Sequence, residues 1–406
     1  MKRHTILFIL VTVLITSGCS STSLPQRTEI DDLLLVEVIG IDKSTEMPED
    51  VTITIASRKL DQSGGGQSQE DGSGGGVNII PNNKALITMA NGKTLFDAAR
   101  NIQNNTDKTL FWSHTKYILI GEEAARDNIV KYIDFITRDH EFQLNIMVYI
   151  VKGMTAKDLL LKFNQSEFYI ADKLNSVGRN SKLMGMMEEI NTAELMRFFD
   201  IHFGSARIPC IQLVDREIGY ETTAPDIEGF GYAIVSDLKL ASYIGRDIAR
   251  GVNLITNKLE SSVVTVKDVY GGDVSLEIIL SNTEVIPHFA GDKLEEITLK
   301  TRVLSNLGEI QSQAPSRFEE NYKYMEAQQS AILENEMKKV LEVIRESESD
   351  CLGICDRIRL KEPVKWHKIE DNWMEIFLNM KINVEVESKL RRSYELDEPS
   401  AYKGMK

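Results

Sequence analysis

The sequence predicts an α+β protein of several domains, and three observations carry that expectation. Short runs such as Val51-Thr52-Ile53-Thr54-Ile55 and Ile382-Asn383-Val384-Glu385-Val386-Glu387 alternate with period two, the pattern of half-buried strands. Other stretches repeat with helical period behind Thr or Ser capping residues. The chain has 406 residues, long enough for two or three domains with sizeable cores.

The first residues read as an export signal. Lys2 and Arg3 precede an apolar run from Ile6 to Ile15, followed by Thr16-Ser17-Gly18-Cys19. A basic start, an apolar stretch and small residues at the cut have the form of a secretory signal. The run is shorter than the roughly 20 apolar residues that span a bilayer. Small side chains let a peptidase hold the backbone extended, and a thiol can accept diacylglycerol before cleavage. Residues 1–18 are therefore expected to be a signal peptide cut after Gly18, with Cys19 the lipidation site, although Thr16 stands where a bacterial lipobox usually has Leu. The alternatives are an ordinary secretory signal with an incidental cysteine and an uncleaved anchor helix.

Charge narrows the partners. The chain carries a net charge of -14 and no block of Lys and Arg long enough to form an electrostatic footprint, which excludes nucleic acid as a ligand. Anionic headgroups repel such a protein, so membrane attachment is expected from acyl chains at Cys19. Besides Cys19 only Cys210, Cys351 and Cys355 are present, too few for a disulfide-stapled scaffold of this length.

Residues 19–28 are Ser/Thr-rich, the composition of a flexible tether. Residues 29–200 are expected to form an N-terminal α/β domain. Leu33 to Ile41 and Val51 to Ile55 read as a hairpin closed by Asp42 to Asp50. The glycine-rich loop 62–76 reads as disordered, and it lacks the Lys-Ser/Thr ending of a phosphate-cradling loop. Next come a strand over Ala85 to Met89, a helix capped by Thr94 with Asp97, and a strand over Tyr117 to Ile120. A helix over Glu122 to Thr137, a strand over Leu144 to Val151 and a capped helix over Thr155 to Lys162 follow. The Met-rich stretch from Asn175 to Asp200 reads as a helix packed on the body, with an adaptable contact surface as the alternative. Residues 201–228, containing Pro209 and Pro225, are expected to be a linker.

Residues 229–305 read as a middle, antiparallel β-rich domain, with short strands separated by Gly, Asn and Asp turns. Residues 306–395 read as a C-terminal α/β domain around a long helix that Ser316 and Glu319 would cap, with 396–406 a tail. Trp366, Trp373 and Phe377 fall at spacings that would put them on one face of a helix.

The chemistry-bearing residues are sparse. No Gly-x-Ser-x-Gly elbow, His-Glu-x-x-His helix, P-loop or Cys-x-x-Cys knuckle occurs. His114 reads as a satisfied structural histidine, and Arg138-Asp139-His140-Glu141 as the closing turn of a helix. Cys351 and Cys355 would share a helical face as free thiols or a redox pair; a metal would need further ligands, of which His367 is the nearby candidate.

Four blocks together resemble one family, the Ger(x)C lipoproteins, the C subunits of spore nutrient-germinant receptors. They are Arg27-Thr28-Glu29-Ile30-Asp31-Asp32-Leu33 with Ile39-Gly40-Ile41-Asp42; Trp112-Ser113-His114-Thr115-Lys116 through Gly121-Glu122-Glu123 to Arg138-Asp139; and Gly229-Phe230-Gly231 with Asp237, Leu238 and Leu240. The fourth and most specific is Asp350, Gly353, Pro363, Trp366, Trp373 and Phe377, then Val384, Val386 and Leu390-Arg391-Arg392. The resemblance implies three mixed α/β domains behind a lipidated N-terminal tether. It implies a protein without enzymatic activity or cofactor, held by lipid on the outer face of the spore inner membrane. There it would trigger nutrient germination with an A-type and a permease-like B-type subunit. Direct nutrient binding by this subunit is left open. The alternatives are an extracytoplasmic solute-binding lipoprotein of a transporter and a cell-envelope hydrolase.

Overall fold

Strand β1 (Leu33–Lys43) lies inside the larger of two sheets with both faces covered, which explains why it reads as a nearly unbroken apolar run. The computed structural model describes residues 32–44, 47, 50–58, 80–81, 84–104, 106–219, 222–311 and 319–391. The signal, Gly18, Cys19 and its tether, the glycine-rich loop, Ser316 and the tail lie outside the described residues. β1 returns as β2 (Val51–Arg58) in the expected antiparallel hairpin. Their register shifts between Val36 and Val38, a bulge that turns Val36 and Ile39 toward the same core. The bulge also carries Glu37 inside, where Lys116 Nζ meets its carboxylate at 2.7 Å.

The sheet continues through β3 (Ile80–Pro81), β4 (Ala85–Gly92), β5 (Thr109–Phe111), β6 (Tyr117–Gly121), β7 (Met147–Val151), β8 (Ala206–Gly219), β9 (Thr222–Ser236) and β10 (Lys239–Gly245). Its order is β10-β9-β8-β7-β6-β1-β2-β4-β3, with β5 pairing β1 off this path. β1, β6, β7 and β8 run parallel at the centre, with antiparallel pairs on both flanks. Helices α1 (Leu95–Asn104), α2 (Glu122–Asp127), α3 (Ile129–Arg138), α4 (Ala156–Phe163), α5 (Ile170–Leu183) and α6 (Thr192–Ile201) cover it. α4 and α5 pack on one face and the other four on the opposite face.

Two of these helices start as the sequence predicts. Thr94 Oγ1 accepts the Asp97 N–H at 3.1 Å, while Asp97 accepts the Lys93 N–H at 3.0 Å. Thr155 Oγ1 accepts the Asp158 N–H at the start of α4. Asp42 strengthens that second cap, accepting the Ala156 and Lys157 N–H groups at 2.7 and 2.8 Å. Gly40 lets α4 approach the sheet, since a Cβ there would stand 2.9 Å from Leu160 Cδ1.

Three expectations are corrected here. The helix read over Glu122 to Thr137 is two helices, because Asn128 takes an extended conformation and caps α3 by accepting the Val130 N–H at 3.0 Å. The Met-rich stretch is not one helix: α5 stops at Leu183, a loop follows with Gly185 at φ +66°, and α6 begins at Thr192. In that loop Met184 is exposed and Met187 buried. The stretch read as a linker, 201–228, is largely β8 and β9, paired from Ala206 with Val235 out to Gly219 with Thr222. Its outer part carries exposed Asp215, Arg216 and Glu217, so the apolar alternation of a strand is missing where the ribbon leaves the core.

The second sheet runs β11 (Ser262–Lys267), β12 (Asp273–Ala290), β13 (Lys293–Ile310) and β14 (Lys381–Arg391) in that order, with β14 parallel to β13. The stretch read as the middle domain is thus shared: 229–245 joins the first sheet and 262–310 the second. Helix α7 (Ala249–Ile255) and the 28-residue α8 (Glu319–Glu346) pack beside the second sheet, burying Met325, Leu333, Met337, Val340 and Ile344 of α8. Short helices α9 (Ile354–Lys361), α10 (Pro363–Trp366) and α11 (Trp373–Asn379) lead into β14. The three aromatics do cluster, with ring centroids 5.2 Å apart for Trp366–Trp373 and 5.6 Å for Trp373–Phe377. They come from two helices rather than one, because the chain breaks between Trp366 and Trp373. The fold class is α+β, as the sequence predicts.

Candidate functional site at the junction of the two sheets

The two sheets meet where α8 ends. Ser349 Oγ donates to the Val235 carbonyl and Ser236 Oγ to the Glu348 carbonyl, each at 2.7 Å. Ser242 and Ser347 share a hydroxyl hydrogen bond at 2.5 Å. These bonds stitch the turn after α8 to the ends of β9 and β10. Those two strands are joined by Asp237 and Leu238, both at positive φ, a conformation uncommon for Leu. Two backbone bonds hold the turn there: the Leu238 N–H donates to the Gly204 carbonyl and the Leu238 carbonyl accepts from the Ile129 N–H.

Asp350 is the centre of the junction. Its fully buried carboxylate accepts the Ile354 N–H at 3.1 Å, the Cys355 N–H at 2.9 Å and the Trp373 Nε1–H at 2.9 Å. One side chain therefore caps α9 and fixes α11 against it. Burial pushes its carboxyl above the usual carboxylate range, and the donors oppose that shift. Gly353, at φ +68°, opens α9, and a Cβ there would stand 3.1 Å from His202 Cε1. The most specific of the sequence blocks thus owes its residue types to capping and close packing.

A cleft of about 140 Å³ lies beside this node. Cations reach it from three separate parts of the chain: Arg197 and Arg207 from α6 and β8, Lys258 after α7, and Arg357 on α9. Lys258 pairs with Glu188 at 3.1 Å, and Asp356, the carboxylate lining the cleft, is engaged by Arg359. Arg207 is 9 % exposed; its Nη1 donates to the Cys351 carbonyl at 3.0 Å, and its guanidinium stands 5.1 Å from the Phe198 ring centre. Arg357 Nη1 and His202 Nδ1 are buried with no hydrogen-bond partner among the described residues. Burial, aided by Arg207 and Arg197, lowers the His202 pKa to about 4, so its imidazole is neutral at pH 7. Burial and the neighbouring Arg207 likewise lower the pKa of Arg357.

The other sequence-selected residues are placed as follows. Cys19 and Gly18 lie outside the described residues. His114 is exposed rather than a satisfied interior histidine, because the short helical turn at Trp112–His114 turns Trp112 inward against Phe142 and leaves His114 in solvent. Arg138 pairs with Asp134, and the Asp139 carboxylate accepts the Glu141 N–H at 2.9 Å, closing α3. Cys351 and Cys355 do not share a helix, since Gly353 separates them; both are buried free thiols. Burial pushes the Cys351 thiol up to about 12 and Cys355 higher still, so neither is a thiolate at neutral pH. His367 is exposed and pairs with Glu370 at 2.5 Å. Among the described residues no cluster of three metal-ligating side chains forms, and no helix is long and apolar enough to cross a membrane. Sequence reading missed Arg207, His202 and Arg357, whose convergence has no local motif because they are brought together by the fold.

Comparison with known proteins agrees with this architecture. A family model described as the spore germination protein N-terminal domain matches residues 26–213, and one described as spore germination B3/GerAC like, C-terminal, matches residues 230–394. Spore germination protein KC of Bacillus subtilis (strain 168) is 21 % identical over 405 residues, covering 95 % of this chain and 94 % of that one. Spore germination protein B3 of the same organism is 24 % identical over 311 residues, covering 74 % and 79 %. The crystal structure of the GerBC protein superposes with a TM-score of 0.50 at 19 % identity, covering 87 % of this chain and 96 % of that one. With both halves matched in order across most of its length, the chain belongs to the GerAC-like, or Ger(x)C, family of spore germination proteins.

Proposed function

We propose that this protein is the lipid-anchored C subunit of a spore germinant receptor, acting without catalysis through contacts with A-type and B-type subunits. The observation that carries the reading is family membership over both halves of the chain. The signal-like start, the Ser17-Gly18-Cys19 sequence and the acidic net charge of -14 support attachment by acyl chains at Cys19, on the outer face of the spore inner membrane. The residues of the family-like blocks support a scaffold role, since Asp42, Asp350 and Gly353 cap and seat helices. The solute-binding-lipoprotein alternative is not favoured by the family match. Deleting the gene should leave spores that fail to germinate on at least one nutrient; normal germination on every nutrient would refute the reading. Cys19→Ala should release the processed protein from membranes, and retention would show that protein contacts alone hold it there.

A further inference from the structure

We propose that the cleft beside Asp350 binds one small oxyanion, a phosphate or a carboxylate group, between Arg207 and Arg357. The inference stands apart from the receptor reading and rests on how charge is distributed in the fold.

Elsewhere in this acidic chain two cations withdrawn from solvent are paired with carboxylates. Arg250 meets Glu336 at 2.5 Å and Lys173 meets Asp226 at 2.5 Å. In the cleft, Arg207 and Arg357 come together with no ion-pair partner for either among the described residues. The carboxylate lining it, Asp356, is engaged by Arg359, and the buried Asp350 behind it is held by three donors of its own. Two like charges drawn partly out of water repel each other and lose hydration, and a bound anion relieves both costs. Guanidinium forks suit this task, since their paired N–H groups match the oxygens of phosphate and carboxylate.

Neutral His202 adds a second kind of contact. Its Nδ1 is buried without a partner among the described residues, and a ring movement that opened it to the cleft would let the tautomer protonated there donate to an anion oxygen without adding charge. The volume suits a small ligand. About 140 Å³ admits a phosphate ion or a short dicarboxylate, and falls below the roughly 300–1,000 Å³ of pockets for drug-sized molecules. Because Arg207 belongs to the first sheet and Arg357 to α9 beside the second, the anion would brace the junction. Binding would therefore stabilise the folded chain by mass action.

The test uses the purified full-length chain at constant ionic strength. Calorimetric titration and thermal melting are run with inorganic phosphate, with succinate, and with glycerol as a neutral compound of similar size. Saturable binding of phosphate or succinate, a rise in Tm of a few degrees at saturation and no response to glycerol are expected. The anion that responds identifies the source: phosphate alone assigns a phosphate group, succinate alone a carboxylate, and both a general oxyanion site. Arg357→Gln should weaken binding at least tenfold, whereas Lys338→Gln, on an exposed stretch of α8, should leave it unchanged. Arg357 Nη1 has no hydrogen-bond partner among the described residues, so that variant should fold, as its circular dichroism would show. Imidazole NMR of the unmodified chain gives a second readout, in which the saturating anion shifts the His202 resonances. Absence of saturable binding by both anions, an unchanged affinity in Arg357→Gln, or His202 resonances that do not move would each overturn the proposal.

Discussion

Asp42 and Asp350 perform the same local task in different parts of the molecule, and their surroundings separate them. Each is a buried carboxylate that accepts two backbone N–H groups at the start of a helix, α4 for Asp42 and α9 for Asp350. Asp42 has those two donors, and burial lifts its pKa to about 6 against the backbone hydrogen bonds. Asp350 is fully enclosed and adds the Trp373 indole N–H, so that three donors from two helices depend on one side chain. A helix start tolerates a carboxylate because its unpaired N–H groups and dipole favour negative charge. What differs is the number of groups left stranded if the carboxylate goes.

That difference orders four expected outcomes. Asp350→Ala should be the most damaging, about 4 kcal/mol in urea denaturation, because two backbone donors and an indole lose a buried acceptor together. Trp373→Phe should cost about 3 kcal/mol by removing the indole donor and leaving space in the Trp366–Phe377 cluster. Asp42→Ala should cost about 2 kcal/mol, since α4 keeps the Thr155 cap. If Asp42→Ala proved costlier than Asp350→Ala, donor number would not be what distinguishes the two sites.

The smallest effect is a pH dependence that belongs to Asp42. Its folded pKa of about 6 lies above the ordinary 3.8, so its contribution is fully present below about pH 4 and is lost as pH rises through 6. The stability of the wild type relative to Asp42→Asn should therefore improve by on the order of 1 kcal/mol between pH 7.5 and 4.5. Urea midpoints of both proteins at the two pH values check this, and a difference that stays constant would argue against a raised carboxyl.

Much of the fold was legible because local chemistry and tertiary structure agree there. Alternation in Val51–Ile55, the Thr94 and Thr155 caps and the apolar stripe of α8 each mark an element that exists. Reading failed where a local signal was overruled. Asn128 breaks a continuous apolar stripe without disturbing it, so Ala125, Ile129, Tyr132, Ile133 and Ile136 are all buried although they sit on two helices. Pro209 suggested a linker, yet it lies in β8 opposite Tyr232 of β9. The cationic cleft was illegible for another reason: Arg207 and Arg357 are 150 positions apart, and only the stitched turn after α8 brings their segments together.

Helix α8 is also a mechanical element. Its 28 residues make a rod about 42 Å long at the usual helical rise. One end is tied to the second sheet, where Asn321 accepts the Val269 N–H and Glu326 accepts the Leu390 N–H. The other runs into the serine-stitched turn on β9 and β10. Between those ends Gln329 bonds Ser305 of β13, the Ser388 N–H of β14 donates to Ser330, and Glu336 pairs with Arg250 of α7, so the helix and the second sheet move as one piece.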